Sequence, residues 1–422
     1  MTISRREFLQ WASVAAGATA VGGCASVGGS AGRVVVIGAG YGGATAAKYI
    51  KMWAPEIDVT IVERGSEFIS CPLSNLVLGG NTTINELTYS YDGLKRRGIT
   101  VVRDEATAID AQKREVRLAG GNVLNYDRLI VSPGVEFLYG GIPGLSSAGV
   151  QERVLHAWKA GPQTLALRKQ LESMRDGGVY ALHIPKAPYR CPPGPYERVC
   201  QVADYFKRAK PKSKILVLDS NEDLVSKKGL FLAAWNGQYK GMIEYRPNSE
   251  LVDVDVKTLT AKLQFEDVKA DVLNVVPPQK AGLIAEKAGL INANNRWCAV
   301  DWTTLESTTV KGVHVLADAT LSGPAMPKSA SMANQHAKVC AAAVVALLKG
   351  EAVNPEPVMM NTCYSFVDGK NVMHVASVHT YDAKEKTMVP VKGAGGLSDK
   401  ASEQEGLYAW GWARNIWAEA LA

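Results

Sequence analysis

Two sets of residues in this chain have the types and spacing to do chemistry: one glycine-rich loop, and seven cysteines at positions 24, 71, 191, 200, 298, 340 and 363. The loop is Gly38-Ala39-Gly40-Tyr41-Gly42-Gly43. It places Gly38 at a tight turn, Gly40 where a backbone must approach a pyrophosphate, and Gly43 where a helix must pack closely on a strand. Context makes the signal specific. The apolar strand Arg33 to Ile37 leads in and a helical run from Ala44 to Met52 leads out. A second strand, Asp58 to Glu63, ends in a carboxylate 20 residues beyond Gly43 that suits ribose hydroxyls. The cysteine spacing excludes several sites. No CxxC or CxxxxC occurs, which removes the zinc ribbon and the adjacent redox dithiol. No CxxCH occurs, so no haem is expected on this chain, and no metal site either. Cys298 beside Trp297, and Cys340 in an apolar helical run, read as buried thiols. Cys200 reads as packed in a helix from Tyr196 to Ala209, although Cys191, nine positions earlier, leaves it open as an alternative disulfide partner.

The elements around these residues separate FAD from a nicotinamide nucleotide. Tyr126 to Gly134 is a strand running into the turn Pro133-Gly134, and Gly312 to Asp318 is a strand ending in an aspartate. With the glycine loop they are similar to the three signatures of flavoproteins with two dinucleotide-binding domains, in which that aspartate holds the ribityl chain of FAD. Ala317 stands where those families have glycine. Met326-Pro327-Lys328-Ser329 opens a helix running to about Leu348, whose N-terminal dipole, with Lys328 nearby, suits negative charge on a reduced flavin; for Lys328 a solvated surface lysine is the equal alternative. The middle of the chain repeats the strand and helix pattern with Val179 to Ile184, Tyr196 to Ala209 and Lys214 to Asp219. Between the first two lies Pro185 to Pro195, with five prolines and a single glycine, so five backbone donors are missing where a pyrophosphate needs them. This second unit is therefore expected to keep its fold, bind no nicotinamide nucleotide and present Cys191 instead.

Length and composition fit this plan. At 422 residues the chain suits two or three domains, and 47% hydrophobic against 21% charged residues excludes disorder and fibrous structure. The net charge of +6 is modest and scattered, which gives no case for nucleic acid, though it favours an acidic protein partner. After the first 30 residues no apolar run reaches spanning length; the longest, Val339 to Leu348, is bracketed by Lys338 and Lys349. Residues 1–30 resemble a twin-arginine signal peptide, with Ser4-Arg5-Arg6-Glu7-Phe8-Leu9 before an alanine- and glycine-rich stretch. Export of a folded protein to the periplasm is the expectation. Val21-Gly22-Gly23-Cys24 loosely matches a lipoprotein sequence, which leaves lipid anchoring at Cys24 as the lesser alternative.

Four segments carry a closer resemblance: Phe68-Ile69-Ser70-Cys71-Pro72-Leu73-Ser74-Asn75, Tyr189 to Arg198, Pro327-Lys328-Ser329 and Asn361-Thr362-Cys363-Tyr364-Ser365. Together they resemble the flavoprotein subunit of flavocytochrome c sulfide dehydrogenase, from about Ala31 to the C-terminus. The resemblance implies an α/β protein with two Rossmann-like dinucleotide-binding domains of the FAD/NAD(P)-linked reductase fold, plus an α+β C-terminal interface domain. It divides the chain into a discontinuous FAD-binding domain (31–150 and 281–350), a second Rossmann-like domain (151–280) and a flavin-covering domain (351–422). It also implies FAD held covalently through Cys71 and a redox-active disulfide between Cys191 and Cys363. Glu197 then lies near the sulfur site and Trp412 near the flavin. Cofactor contacts are expected from Gly38, Gly40, Gly43, Glu63, Pro133, Gly134, Asp318 and Lys328. Hydrogen sulfide would be the substrate, and a separate c-type cytochrome would take the electrons. Each assignment has a plainer rival: a free thiol at Cys71, a structural disulfide, a solvated Glu197, and a Trp412 that only packs its helix. A sulfide:quinone oxidoreductase and a non-catalytic FAD-binding partner of a cytochrome remain the alternatives.

Overall fold

The structure is a computed structural model and describes residues 31–422; the export signal and Cys24 lie outside the described residues. In chain order, the first unit supplies β1 (Arg33–Ile37), α1 (Tyr41–Trp53), β2 (Asp58–Glu63), α2 (Ser74–Gly79), β3 (Thr100–Arg103) and β4 (Arg128–Val131). The middle of the chain supplies β5 (Val179–Ile184), α3 (Gly194–Ala209), β6 (Lys214–Asp219), α4 (Lys228–Asn236), β7 (Ile243–Arg246) and β8 (Val272–Val275). The last third returns β9 (Val313–Val315) and α5 (Ala330–Lys349), then ends in β10 (Val358–Phe366), β11 (Val372–Asp382), β12 (Thr387–Leu397) and α6 (Glu403–Leu421).

The first sheet is parallel throughout, in the order β9-β4-β1-β2-β3. Val34, Val35, Val36 and Ile37 of β1 are all buried, as a central parallel strand covered on both faces requires. α1 packs against α5 beside this sheet, and a Cβ at position 43 would run into the Gly38 carbonyl, so only glycine lets α1 start this close to β1. The second sheet, β7-β6-β5-β8, is parallel too. β10, β11 and β12 form an antiparallel sheet against which α6 packs. This is a mixed α/β protein with two parallel, Rossmann-like sheets and a C-terminal antiparallel sheet, as expected. Among the described residues no helix is long and apolar enough to cross a membrane.

Local caps set these boundaries, and those of α3 and α5 differ from expectation. α3 begins at Gly194, because Pro195 fits a first helical turn whose amide needs no partner. α6 begins at Glu403, after Ser402 accepts from the Glu405 amide at 3.2 Å. β10 and β11 run for 9 and 11 residues, and β12 joins them as a third antiparallel strand. Residues 326–329 stay outside α5, which starts where the Ser329 hydroxyl accepts from the Met332 amide at 3.0 Å.

Ala317, where the resemblance led us to expect glycine, has a φ of +61°, in the left-handed region that favours glycine. That conformation costs a Cβ-bearing residue about 1–2 kcal/mol, against the roughly 0.5–1 kcal/mol that glycine loses in backbone freedom on folding. Ala317→Gly should therefore raise the midpoint of denaturant unfolding slightly; a lowered midpoint contradicts the strain.

Candidate active site

The C-terminal ends of β1, β2 and β4 open into a cavity of about 510 Å³ that also reaches the loop before α3 and the strand β10. At one end lie Gly38, Gly40 and Glu63. The Glu63 carboxylate is fixed by the amides of Ala39 (2.8 Å) and Gly65 (2.9 Å), and a Cβ at Gly40 would meet nothing within 4 Å. Gly43 does not line the cavity; it serves the packing of α1 on β1. Pro133 and Gly134 form one wall, with Asp318 along the side. Asp318 Oδ1 is buried and has no hydrogen-bond partner within the protein. Burial raises that carboxyl, while Arg190 and Lys328 oppose the rise. An orphaned carboxylate oxygen beside an open glycine cradle fits a dinucleotide whose hydroxyls supply the missing donor.

Three cysteines line the same cavity. Cys71 lies just before α2, its carbonyl accepting from the Ser74 hydroxyl at 2.7 Å, with an Arg190 Nη2 3.5 Å from its sulfur. Cys191 sits in the left-handed region (φ +60°), held there by its amide donating to the Lys328 carbonyl at 2.7 Å. Burial pushes its thiol up, and Cys363 and Glu197 push it further. Cys363 projects from β10 with its thiol 3.4 Å from Asn361 Oδ1. Burial raises it as well, while Lys227 pulls in the other direction. Cys191 and Cys363 are free thiols here, so the structure holds no bond between them. The proline-rich loop and the C-terminal sheet nevertheless bring both to one cavity.

Glu197 is not a solvated helix-start carboxylate. It is 8% exposed, lines the cavity, and accepts from the Asn75 side chain (2.8 Å) and the Phe366 amide (2.9 Å), tying α2, α3 and β10 together. Burial raises its carboxyl, so a protonated form comes within easier reach than for a surface glutamate. Trp412 also reaches the cavity and packs on Tyr364 at 5.9 Å between ring centres.

Residues 164–277 match the family "Sulfide dehydrogenase [flavocytochrome c] flavoprotein chain, central" and residues 355–421 match "Flavocytochrome c sulphide dehydrogenase, flavin-binding". Residues 32–173 match "Pyridine nucleotide-disulphide oxidoreductase". The sulfide dehydrogenase [flavocytochrome c] flavoprotein chain of Chlorobaculum thiosulfatiphilum is 53% identical over 45 residues, which is 11% of this chain and 94% of that one. The chain belongs to the flavocytochrome c sulfide dehydrogenase flavoprotein family. It is thus a flavin oxidoreductase of a sulfide-oxidising kind. The mitochondrial sulfide:quinone oxidoreductase of Dictyostelium discoideum is 23% identical over 319 residues, covering 72% of this chain and 68% of that enzyme. The solved sulfide:quinone oxidoreductase of Aquifex aeolicus shares the fold, with a TM-score of 0.76, 17% identity, and coverage of 92% of this chain and 91% of that one.

Within this family member, Lys328 departs from both of its expected roles. It is 5% exposed and does not line the cavity. Its ammonium donates to the carbonyls of Asp318 (3.0 Å) and Thr320 and lies 3.8 Å from the centre of the Trp297 ring, which turns it away behind Asp318. Burial lowers its pKa to about 7. Cys200 is buried, receives the Trp235 indole N–H at 3.3 Å and lies outside the cavity, while Cys298 and Cys340 are buried as expected. Asp219, the carboxylate ending β6, accepts from the hydroxyls of Tyr196 (2.8 Å) and Tyr245 (3.1 Å) and from the Asn221 amide and side chain. In this second unit tyrosines occupy the carboxylate that a ribose would need.

The sequence assigns no role to several basic residues at the site, three of which matter here. Arg190 and Lys159 line the cavity, and Lys227 reaches beneath Cys363. Arg190 lay inside a motif already singled out, so its place beside Cys191 was the available signal. Lys227 stands in Ser226-Lys227-Lys228, which reads as a surface run.

Proposed function

We propose that this chain is the flavin subunit of a periplasmic sulfide dehydrogenase, exported by the twin-arginine route, that passes electrons from hydrogen sulfide to a c-type cytochrome subunit. The observation that carries it is the convergence of Cys71, Cys191 and Cys363 on one cavity with the glycine cradle. In this reading Gly38 and Gly40 meet the pyrophosphate of FAD, Glu63 its ribose and Asp318 its ribityl chain, with Pro133, Gly134 and Trp412 lining the space around it. Cys71 holds it through a thioether. Bound there, FAD supplies an acceptor that takes electrons in a pair and releases them singly.

Cys191 and Cys363 form a disulfide that hydrosulfide opens and turnover restores. Hydrosulfide attacks the Cys191 sulfur, the bond to Cys363 breaks, and the products are a persulfide on Cys191 and a thiolate on Cys363. Glu197, raised by burial and 8% exposed, is the group that moves protons beside the sulfurs. The proline-rich loop and the occupied Asp219 support an acceptor other than a nicotinamide nucleotide.

The test is anaerobic. Sulfide should bleach the flavin, NADH and NADPH should leave it oxidised, and sulfide-dependent turnover should proceed with cytochrome c. Purification from periplasm should also retain a haem-staining partner. Efficient NADH oxidation sinks this reading, and quinone reduction without cytochrome reduction replaces it with a sulfide:quinone oxidoreductase.

A further inference from the structure

Lys227 is 5% exposed and occupies the left-handed region (φ +51°) immediately before α4. A lysine suits that place badly. It offers no side-chain acceptor to the first amides of the helix and bears a backbone cost that glycine avoids. Local structure therefore gives no reason for a lysine here. Its Nζ crosses instead to the C-terminal sheet, donating to the Cys363 carbonyl (2.7 Å), the Ser365 hydroxyl (2.8 Å) and the Met373 carbonyl (3.2 Å). All three acceptors are neutral. Lys228 next to it pairs with Asp223 at the surface, whereas Lys227 forms no ion pair with a carboxylate among the described residues. A buried ammonium with no carboxylate in direct contact is costly, so the surroundings favour a further anion formed close by.

We propose that Lys227 is a positioning residue that makes Cys363, rather than Cys191, the sulfur that leaves as a thiolate when hydrosulfide opens the disulfide. The inference rests on the disulfide reading given above. In the step, a bond forms between the sulfide sulfur and Cys191 Sγ while the Cys191–Cys363 bond breaks and its electron pair goes to Cys363 Sγ. One negative charge enters as hydrosulfide and one remains as the Cys363 thiolate, so no other reactant is needed. A disulfide breaks fastest toward the sulfur that best carries the charge, and a fixed ammonium on the Cys363 side decides which sulfur that is.

Of the other groups facing the pair, Arg190 favours charge on Cys191, but it ranks behind Cys363 and Glu197, which oppose that charge. Around Cys363 stand Asn361 on its own strand, Ser329 before α5, Glu197 on α3 and Cys191 in the proline-rich loop. Lys227 is faced by Cys363, Glu197, Cys191 and, from α6, Glu405, which is itself held by His374 at 2.9 Å and Ser398 at 2.7 Å. Burial raises both thiols. Lys227 is the largest influence opposing that rise at Cys363, while the largest further influences on Cys191, from Cys363 and Glu197, raise it again.

The experiment follows alkylation by iodoacetamide in the reduced holoprotein across about pH 6–10, with each cysteine resolved by peptide mass. The Cys363 midpoint should fall about one pH unit or more below that of Cys191. Lys227→Gln should move it up by about one unit and the Cys191 midpoint by distinctly less, because Lys227 is the leading influence opposing burial at Cys363 and the least of those acting on Cys191. A merely structural lysine would not shift the Cys363 midpoint more than that of Cys191. Equal midpoints, a lower one at Cys191, or a Cys363 midpoint that Lys227→Gln leaves unmoved would each overturn the proposal. If Lys227→Gln fails to fold, the order of the two midpoints in the unaltered protein still decides. Failure of the disulfide reading shows separately, as an oxidised protein whose peptide map contains no Cys191–Cys363 bond.

Discussion

With Cys363→Ser, sulfide should no longer reduce the flavin on the timescale of turnover; a fall of about 10³-fold or more is expected when a group that forms part of the reacting unit is removed. The flavin itself should remain in place, because the glycine cradle, Glu63, Asp318 and Cys71 are untouched. Cys191→Ser should give a loss of similar size, since each variant removes the same disulfide, and the double variant should be scarcely worse than either single one. That non-additivity is the sharper measurement. Two independent structural thiols would give losses that multiply. Cys200→Ser is the internal control: its sulfur is buried against Trp235 and outside the cavity, so sulfide turnover should persist even if stability drops. Normal flavin reduction by Cys363→Ser, or a Cys191–Cys200 bond in the oxidised protein, would end the assignment.

Local signals were strong enough to read the first sheet and the glycine cradle from sequence. Arg33 to Ile37 is uninterrupted apolar chain, Gly38 to Gly43 turns it into a helix, and each later strand ends in a residue suited to the cofactor. The short antiparallel sheets were missed for a different reason. Thr260–Leu263 alternates between half-buried or exposed and buried positions, but four residues of alternation carry little weight unless the neighbouring strands Leu251–Asp255 and Asp267–Lys269 are already known. The middle unit was legible by what it lacks, and the structure adds what took its place: Tyr196 and Tyr245 on Asp219.

The cysteines of the site were legible from motifs, but the charges around them were not. Lys328 sits in a motif that suits either a flavin-facing or a solvated lysine, yet Trp297 and two backbone carbonyls hold its ammonium behind Asp318. Lys227 was read as nothing, yet it ends beneath Cys363, 136 positions away. Both outcomes have one cause. A long flexible side chain goes where its charged end finds acceptors, and those acceptors come from segments remote in sequence. Glu197 repeats the lesson in the other direction. A carboxylate in the first turn of a helix is ordinarily solvated, and only the arrival of Asn75 and Phe366 from two other elements buries it.

Cys71→Ser should turn a flavin that stays with the acid-precipitated protein into one that is released entirely to the supernatant. The place of Cys71 supports a covalent role better than a packing one. It lies on the cavity wall, half-buried rather than sealed in a core as Cys298 and Cys340 are, and Arg190 Nη2 points at its sulfur from 3.5 Å. The variant should still fold and bind flavin without a covalent bond, because the pyrophosphate cradle and Asp318 do not depend on the thiol. It should then lose colour slowly on dilution or gel filtration, at a rate set by the dissociation of the bound flavin. Peptide mass mapping gives the positive control: in the unaltered protein the peptide containing Cys71 should carry the added mass of the flavin, while those containing Cys191 and Cys363 should not. If unaltered protein and Cys71→Ser release flavin equally on precipitation, or if the added mass is found on another residue, Cys71 is a free cavity thiol and the covalent linkage is wrong, although the cradle that binds the dinucleotide would stand.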